Sequence, residues 1–287
     1  MFLLQWGTIF SASALAICSS RQSTTRRLIL CLLGIGYSLA LLDKQLNLLA
    51  ITPLLLLLLA AVLVRSSDNR SWVALGHALF IVLAVVLGFH LAPGFHNPRV
   101  WGPESITPNA LAFTMYLNLD KPLIGFWVLL TCAWATNDAP PRKAIAVSTI
   151  CGLFSATLCL ELACSLGLVG LDPKLPAQGW LWGINNLLLV CFAEEAFFRA
   201  YLQGGLTRLL PDFRHKDTLV IAATALLFGL VHFAGGWQWM LVVSLAGACF
   251  GVAYKVGGLR AAILSHFGLN VVHFLFFTYP MLNPHLH

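Results

Sequence analysis

Residues 46–64 read LNLLAITPLLLLLLAAVLV, without a single charged side chain. An α-helix needs roughly 20 apolar residues to cross the hydrocarbon core of a bilayer, so this stretch predicts a membrane-spanning helix. Similar stretches recur along the chain between charge clusters and Pro/Gly breaks. They give about ten candidate spans, at 1–18, 28–42, 46–64, 71–93, 121–136, 144–170, 177–202, 218–234, 238–254 and 260–280.

The composition of the whole chain agrees with a lipid environment. Of the 287 residues, 59% are hydrophobic and only 10% are charged, against roughly 25% charged in soluble domains. A soluble domain cannot bury so much apolar surface, because its outside must be hydrated. The composition excludes disorder, a collagen-like repeat and a nucleic-acid-binding domain. We therefore expect an all-α, polytopic integral membrane bundle of about 8–10 transmembrane helices, with the lipid bilayer as a partner and no nucleic acid.

The first cluster of ionisable residues inside a span is CFAEEAFFR at 191–199. Ionisable side chains in a membrane span are costly, so each one is a candidate for a functional site. Glu195 and Arg199 are four residues apart on one helix face, which suits an ion pair. Glu194 points about 100° away from Glu195 and needs another partner. Two buried carboxylates in different surroundings are the usual layout of an acid/base site, although the trio can also simply hold helices together.

Two later spans contain histidines. The eighth candidate span ends in FGLVH, whose last residue is His232. One histidine on an apolar helix is more often a packed residue than a catalyst. The last span contains SHFGLNVVH, in which His266, Asn270 and His273 lie along one helix stripe. Such a polar stripe must face the bundle interior or a wet cavity. Hydrogen bonding between helices is the alternative function, most of all for His273.

A carboxylate, a histidine and a His/Asn donor pair in one cavity contain the parts for water-mediated acyl transfer. The carboxylate takes a proton from water as general base, and a histidine orients the water or shuttles the proton. An Asn amide and a second imidazole can donate hydrogen bonds to the oxyanion. The same side chains also suit zinc bound by two His and one Glu. The metal interpretation is less favoured, because the chain lacks HExxH.

Three motifs resemble those of the CAAX prenyl protease type II and bacteriocin-processing (CPBP) intramembrane proteases. They are Glu-Glu-x-x-x-Arg at 194–199, Phe-x-x-x-His at 228–232 and His-x-x-x-Asn at 266–270. Each motif alone is weak, but all three in this order in successive hydrophobic helices are specific. The resemblance predicts a protease core at 144–287. Residues 1–143 are then N-terminal transmembrane helices of unassigned role.

The resemblance implies a glutamate-type intramembrane endopeptidase that needs no cofactor. By analogy with the family, Glu194 is the base that activates water and His232 is its partner, while His266 and Asn270 form the oxyanion hole. The residues expected to shape the site are Glu195, Arg199, Phe228 and His273. We expect the four catalytic side chains to converge on one cavity, with Glu194 within about one water molecule of His232.

The expected substrate is a membrane-anchored protein or peptide that is cut near the membrane surface. A sorting anchor, a peptide signal or a bacteriocin precursor fits a compact chain that we place in a bacterial cytoplasmic membrane. Three alternatives stay open: a zinc-dependent intramembrane protease, a non-catalytic immunity or scaffold membrane protein, and a proton-coupled transporter. The full set of motifs favours activity, and the sequence lacks the paired half-repeats with broken helices that are typical of transporters.

Overall fold

The computed structural model describes residues 1–19, 22–135 and 139–284. In this part of the chain, six helices are long and apolar enough to cross a membrane: Ser23–Leu42, Leu48–Ser66, Arg70–Gly88, Pro141–Ser165, Gly179–Leu209 and Phe233–Phe276. Two shorter apolar helices, Phe2–Cys18 and Pro122–Thr131, accompany them. The prediction of an all-α polytopic membrane bundle is confirmed.

The helices of the described residues are, in chain order, α1 (Phe2–Ser19), α2 (Ser23–Leu42), α3 (Ile51–Ser66), α4 (Arg70–Gly88), α5 (Pro122–Thr131), α6 (Pro141–Ser165), α7 (Gly179–Leu209), α8 (Lys216–Leu230) and α9 (Gly236–Phe276). Between α4 and α5, the strands β1 (Arg99–Glu104) and β2 (Phe113–Tyr116) form an irregular antiparallel hairpin. The last two predicted spans correspond to the two helical parts of α9, which meet at a kink at the non-helical residue Gly258. The kink requires a glycine, because φ is 77° and ψ is −174° there.

The chain forms two compact units. The first unit consists of Met1–Pro98, Leu117–Thr136 and Leu188–Phe197, and the second of Arg99–Tyr116, Asn137–Leu187 and Phe198–His287. The predicted division of the chain between residues 143 and 144 stays a prediction. Residue 136 of the predicted span 121–136 and residues 285–287 of the predicted core lie outside the described residues.

In the first unit, α1 packs with α2 and α3 packs with α4, while α5 is buried along almost its whole length. Trp127 of α5 stacks on Phe80 at 3.7 Å between ring centroids and donates its indole N–H to the Leu57 carbonyl oxygen at 2.9 Å. Gly125 allows α5 to approach α7 closely, because a Cβ at this position would lie 2.7 Å from the Phe192 ring. The start of α5 is therefore held against the turn of α7 that contains Glu194.

In the second unit, α6 and α8 pack against α9. The hairpin covers one end of this unit, where its Trp101 and Met115 form a buried cluster with Trp182 and Phe274. Trp182 stacks on Phe274 at 3.9 Å, with the two ring planes 8° apart. This aromatic cluster fixes the last turns of α9, the helix on which the predicted His/Asn stripe lies.

Candidate active site

Glu194 and Glu195 lie on one α-helical turn of α7, Phe192–Glu195, between two π-helical segments at Asn186–Cys191 and Ala196–Gln203. Such π-helical insertions are rare in helices and occur frequently at functional sites. The Glu195 side chain is completely buried, whereas the Glu194 side chain keeps 12% of its surface exposed. The two adjacent side chains therefore have different surroundings, and of the two only Glu194 retains exposed surface.

Glu194 forms an ion pair that the sequence analysis missed. The Lys121 ammonium nitrogen donates a hydrogen bond to Glu194 Oε1 at 2.6 Å. Both side chains belong to the first unit, and both are mostly buried. Lys121 directly precedes α5, where the sequence shows only Asp120 and Lys121 as charged residues before an apolar stretch. Nothing in that local pattern connects it to Glu194.

Phe228 brings parts of all three motifs together in the second unit. Its ring is buried, and the Arg199 guanidinium lies over it at 5.3 Å from the ring centroid. The rings of His232 and His266 also pack against Phe228, at 4.9 and 5.7 Å between centroids. His266 in addition stacks on Phe250 at 4.7 Å, with 17° between the planes. Phe228 thus has a central place among the predicted residues of this unit.

The hydrogen bond of His232 determines which of its ring nitrogens can act as a base. Nδ1 lies 2.7 Å from the Phe228 carbonyl oxygen. Because a carbonyl oxygen only accepts hydrogen bonds, Nδ1 must carry the proton in this contact. In the neutral ring, Nε2 then keeps its lone pair and can accept a proton or a hydrogen bond from water.

Arg199 is completely buried within the second unit. Its Nη1 donates to the Thr224 hydroxyl at 3.4 Å, and that hydroxyl donates to the Val220 carbonyl oxygen at 2.9 Å. A Cβ on Gly247 would lie 3.3 Å from Arg199 Nη2 and 3.1 Å from the Phe228 ring. Arg199 is therefore enclosed by α8 and α9, which agrees with a role in shaping the site. Its expected ion pair with Glu195 stays a prediction.

The Asn270 side chain is oriented by a second residue that the sequence analysis missed. Asn270 Nδ2 donates to Asn186 Oδ1 at 3.1 Å, within the second unit. The sequence signal was available, because Asn185 and Asn186 are polar residues in the apolar span 177–202. They are less conspicuous than Glu194 or Arg199, because a neutral amide in an apolar span is less costly than a charge.

His273 lies on the same helix stripe but contacts the chain that follows α9. It is buried, its Nε2 donates to the Thr278 carbonyl oxygen at 3.2 Å, and its ring packs against Tyr279 at 5.1 Å. His273 thereby stabilises the chain reversal after α9. Of the four predicted catalytic residues, His232 and His266 share Phe228 as a neighbour, and Asn270 follows His266 by one helical turn. Glu194 belongs to the first unit, so its convergence with the other three stays a prediction.

A zinc site formed by two His and one Glu is the alternative interpretation of these side chains. Among residues 1–19, 22–135 and 139–284, no group of three or more His, Cys, Asp and Glu side chains is arranged to hold a metal ion. A chelation experiment distinguishes the glutamate mechanism from the zinc alternative.

Residues 176–272 match the family model described as Type II CAAX prenyl endopeptidase Rce1-like. The matched segment is roughly a third of the chain, and it contains all three motifs that were identified in the sequence. No curated protein and no solved structure matches the chain.

Proposed function

We propose that this integral membrane protein is a glutamate-type intramembrane endopeptidase, because residues 176–272 match the family model of type II CAAX prenyl endopeptidases. The observation that carries the proposal is that the family match encloses Glu194, His232, His266 and Asn270 in their three motifs. The proposed substrate is a membrane-anchored protein or peptide cut near the membrane surface. More specifically, we propose that the substrate is a sorting anchor, a peptide signal or a bacteriocin precursor in a bacterial cytoplasmic membrane.

In the proposed reaction, Glu194 takes a proton from a water molecule while the water oxygen attacks the carbonyl carbon of the scissile peptide bond. The partial exposure of the Glu194 side chain supports this role, since the neighbouring Glu195 is completely buried. His232 accepts a hydrogen bond from the same water through Nε2. This nitrogen is the acceptor because Nδ1 donates a hydrogen bond to the Phe228 carbonyl oxygen.

The tetrahedral intermediate then carries a negative oxygen, which the side chains of His266 and Asn270 stabilise as hydrogen-bond donors. Asn186 supports the Asn270 part of this role by fixing the orientation of its amide. As the C–N bond breaks, Glu194 returns its proton to the leaving amine. The products are a new carboxylic acid and a new amine, and Glu194 is ionised again; the acid then transfers the second proton of the water to the amine.

The proposal is tested by replacing Glu194 with Gln, which is nearly isosteric and cannot accept the proton. The full-length protein is reconstituted in liposomes with a library of internally quenched peptides, each joined to a transmembrane anchor. We expect cleavage by the wild type and none by Glu194→Gln, although the variant folds and inserts. Glu161→Gln is the matched control, because Glu161 is an exposed carboxylate in α6. It should cut at the wild-type rate.

Two further measurements on the same liposomes separate the mechanisms. Asn270→Ala should retain weak activity, since loss of one oxyanion donor slows the reaction by roughly a hundredfold to a thousandfold. Cleavage should survive strong chelators. An active Glu194→Gln variant would refute the assigned base, and activity lost on chelation and restored by zinc would establish the metal alternative. A wild type that cuts no member of the library would favour a scaffold protein or a transporter.

A further inference from the structure

The ion pair between Lys121 and Glu194 links the predicted catalytic base to the half of the chain that has no assigned role. The two residues are 73 positions apart, and Lys121 lies outside the matched segment 176–272. The distance from Nζ to Oε1 is 2.6 Å, and the exposed fractions are 18% for Lys121 and 12% for Glu194. Hydrogen bonds between an ammonium and a carboxylate are shorter and stronger than neutral ones, so this contact fixes Oε1.

A buried carboxylate holds Lys121 in place. Asp120 is only 1% exposed and accepts a hydrogen bond from the backbone N–H of Lys121 at 2.9 Å. Its two oxygens also accept from His90 Nδ1 at 2.9 Å, and Oδ1 accepts from Asn97 Nδ2 at 3.1 Å. The backbone that carries Lys121 is therefore attached to the ends of the connection between α4 and α5.

The turn of α7 that carries Glu194 packs against α5, the helix that follows Lys121. The Phe192 ring lies against Gly125, where a side chain would clash with it. The same ring packs on Phe126 at 5.1 Å between centroids. Both contacts lie inside the first unit. Because the backbones on the two sides of the ion pair are held by separate buried contacts, the pair has a defined geometry and does not depend on a mobile surface lysine.

We propose that Lys121 is a positioning residue for Glu194, whose ammonium fixes Oε1 and thereby sets the direction in which Oε2 faces the attacking water. This inference rests on the proposed function, because it gives Lys121 its role through the catalytic base. It gives Lys121, and the His90, Asn97 and Asp120 side chains that hold its backbone, a part in catalysis without contact with the substrate. A structural salt bridge would show the same distance, so the experiment must separate stability from rate.

The first measurement needs no substrate. Thermal unfolding of the full-length protein in detergent is compared for Lys121→Met, Glu194→Gln and the double variant. If the two side chains interact, the decrease in the double variant is smaller than the sum of the two single decreases, because each single variant already loses the ion pair and leaves its partner's charge unpaired. Additive decreases in unfolding temperature would overturn the inference. Lys143→Met is the matched control, because Lys143 is exposed at the start of α6.

The second measurement separates kcat from KM on the anchored peptide that the wild type cuts fastest. We expect Lys121→Met to lower kcat by about 10- to 100-fold, since small misplacement of a catalytic group has effects of this size. KM should stay within about twofold, because Lys121 orients the base and not the peptide. Lys121→Arg should recover most of kcat by keeping the charge. If Lys121→Met does not fold, Lys121→Gln replaces it with the same expectation.

The outcomes distinguish the inference from the proposed function. A wild type that cuts no anchored peptide overturns the proposed function, and the role of Lys121 falls with it. A wild type that cuts, together with a Lys121→Met variant that cuts equally fast, overturns the inference alone. Loss of kcat without recovery in Lys121→Arg also contradicts it, provided that the arginine variant unfolds at the wild-type temperature.

Discussion

Replacing Asn186 with alanine removes the oxygen to which the Asn270 amide donates at 3.1 Å. Asn186 is buried, so water does not readily replace the lost acceptor. The Asn270 side chain keeps its own donor but loses the contact that orients it toward the proposed oxyanion. The change therefore tests whether orientation of this donor contributes to the rate.

The magnitude is bounded on both sides. A neutral hydrogen bond between side chains contributes about 1 kcal/mol net, and 1.36 kcal/mol corresponds to a tenfold change in rate. Loss of orientation alone should thus lower kcat by about fivefold. Loss of the whole donor in Asn270→Ala should lower it by roughly a hundredfold to a thousandfold. We expect Asn186→Ala to fall between these values.

The assay is cleavage of the same anchored peptide by Asn186→Ala, Asn270→Ala and the double variant. Because Asn186 acts through Asn270, the double variant should be no slower than Asn270→Ala. Asn185→Ala is the matched control. Asn185 is adjacent and buried, and no residue in the described part of the chain donates a hydrogen bond to its side-chain oxygen. Its kcat should equal that of the wild type.

Two results would refute this reasoning. If the factors of the single variants multiply in the double variant, Asn186 acts independently of Asn270. If Asn185→Ala is as slow as Asn186→Ala, the effect reflects general disturbance of the π-helical segment of α7 and not the hydrogen bond.

Two further predictions concern the surroundings of Phe228. Gly247→Ala places a Cβ 3.1 Å from the Phe228 ring and 3.3 Å from Arg199 Nη2, and such overpacking should destabilise the protein by about 1–3 kcal/mol. It is measured as a decrease in unfolding temperature beside Gly34→Ala, whose Cβ contacts nothing within 4 Å. Arg199→Ala removes the partner of the Thr224 hydroxyl and the cation over Phe228, so yield, stability and activity should fall together, with a stability loss of about 1–3 kcal/mol. A fully active Arg199→Ala variant of normal stability would contradict the structural role of this residue.

The helices were predictable because their signal is local. A long apolar stretch without charges predicts a span whatever it packs against, as residues 46–64 show. The break predicted between 254 and 260 is found at Gly258, whose positive φ is non-helical and separates the two helical parts of α9. The hairpin at 99–116 was not predicted, since its strands are short and interrupted by Gly102 and Pro103.

Some residues of the candidate site were likewise conspicuous in the sequence, and others were not. His232 and His266 could be identified because an imidazole in an apolar helix is conspicuous. Phe228 was identified only through its motif, since a phenylalanine in an apolar span does not stand out by itself. Its contacts with Arg199, His232 and His266 come from the packing of α7, α8 and α9.

Lys121 could not be predicted from any local pattern, since its partner is 73 residues away in the chain. What brings the two together is the close approach of α5 to α7, which depends on the missing side chain of Gly125 and the ring of Phe192. The segment that matches the family model begins at residue 176 and therefore contains Glu194 without Lys121. A family comparison can point to the proposed base, but the ion pair of Glu194 with Lys121 depends on packing contributed by the N-terminal half.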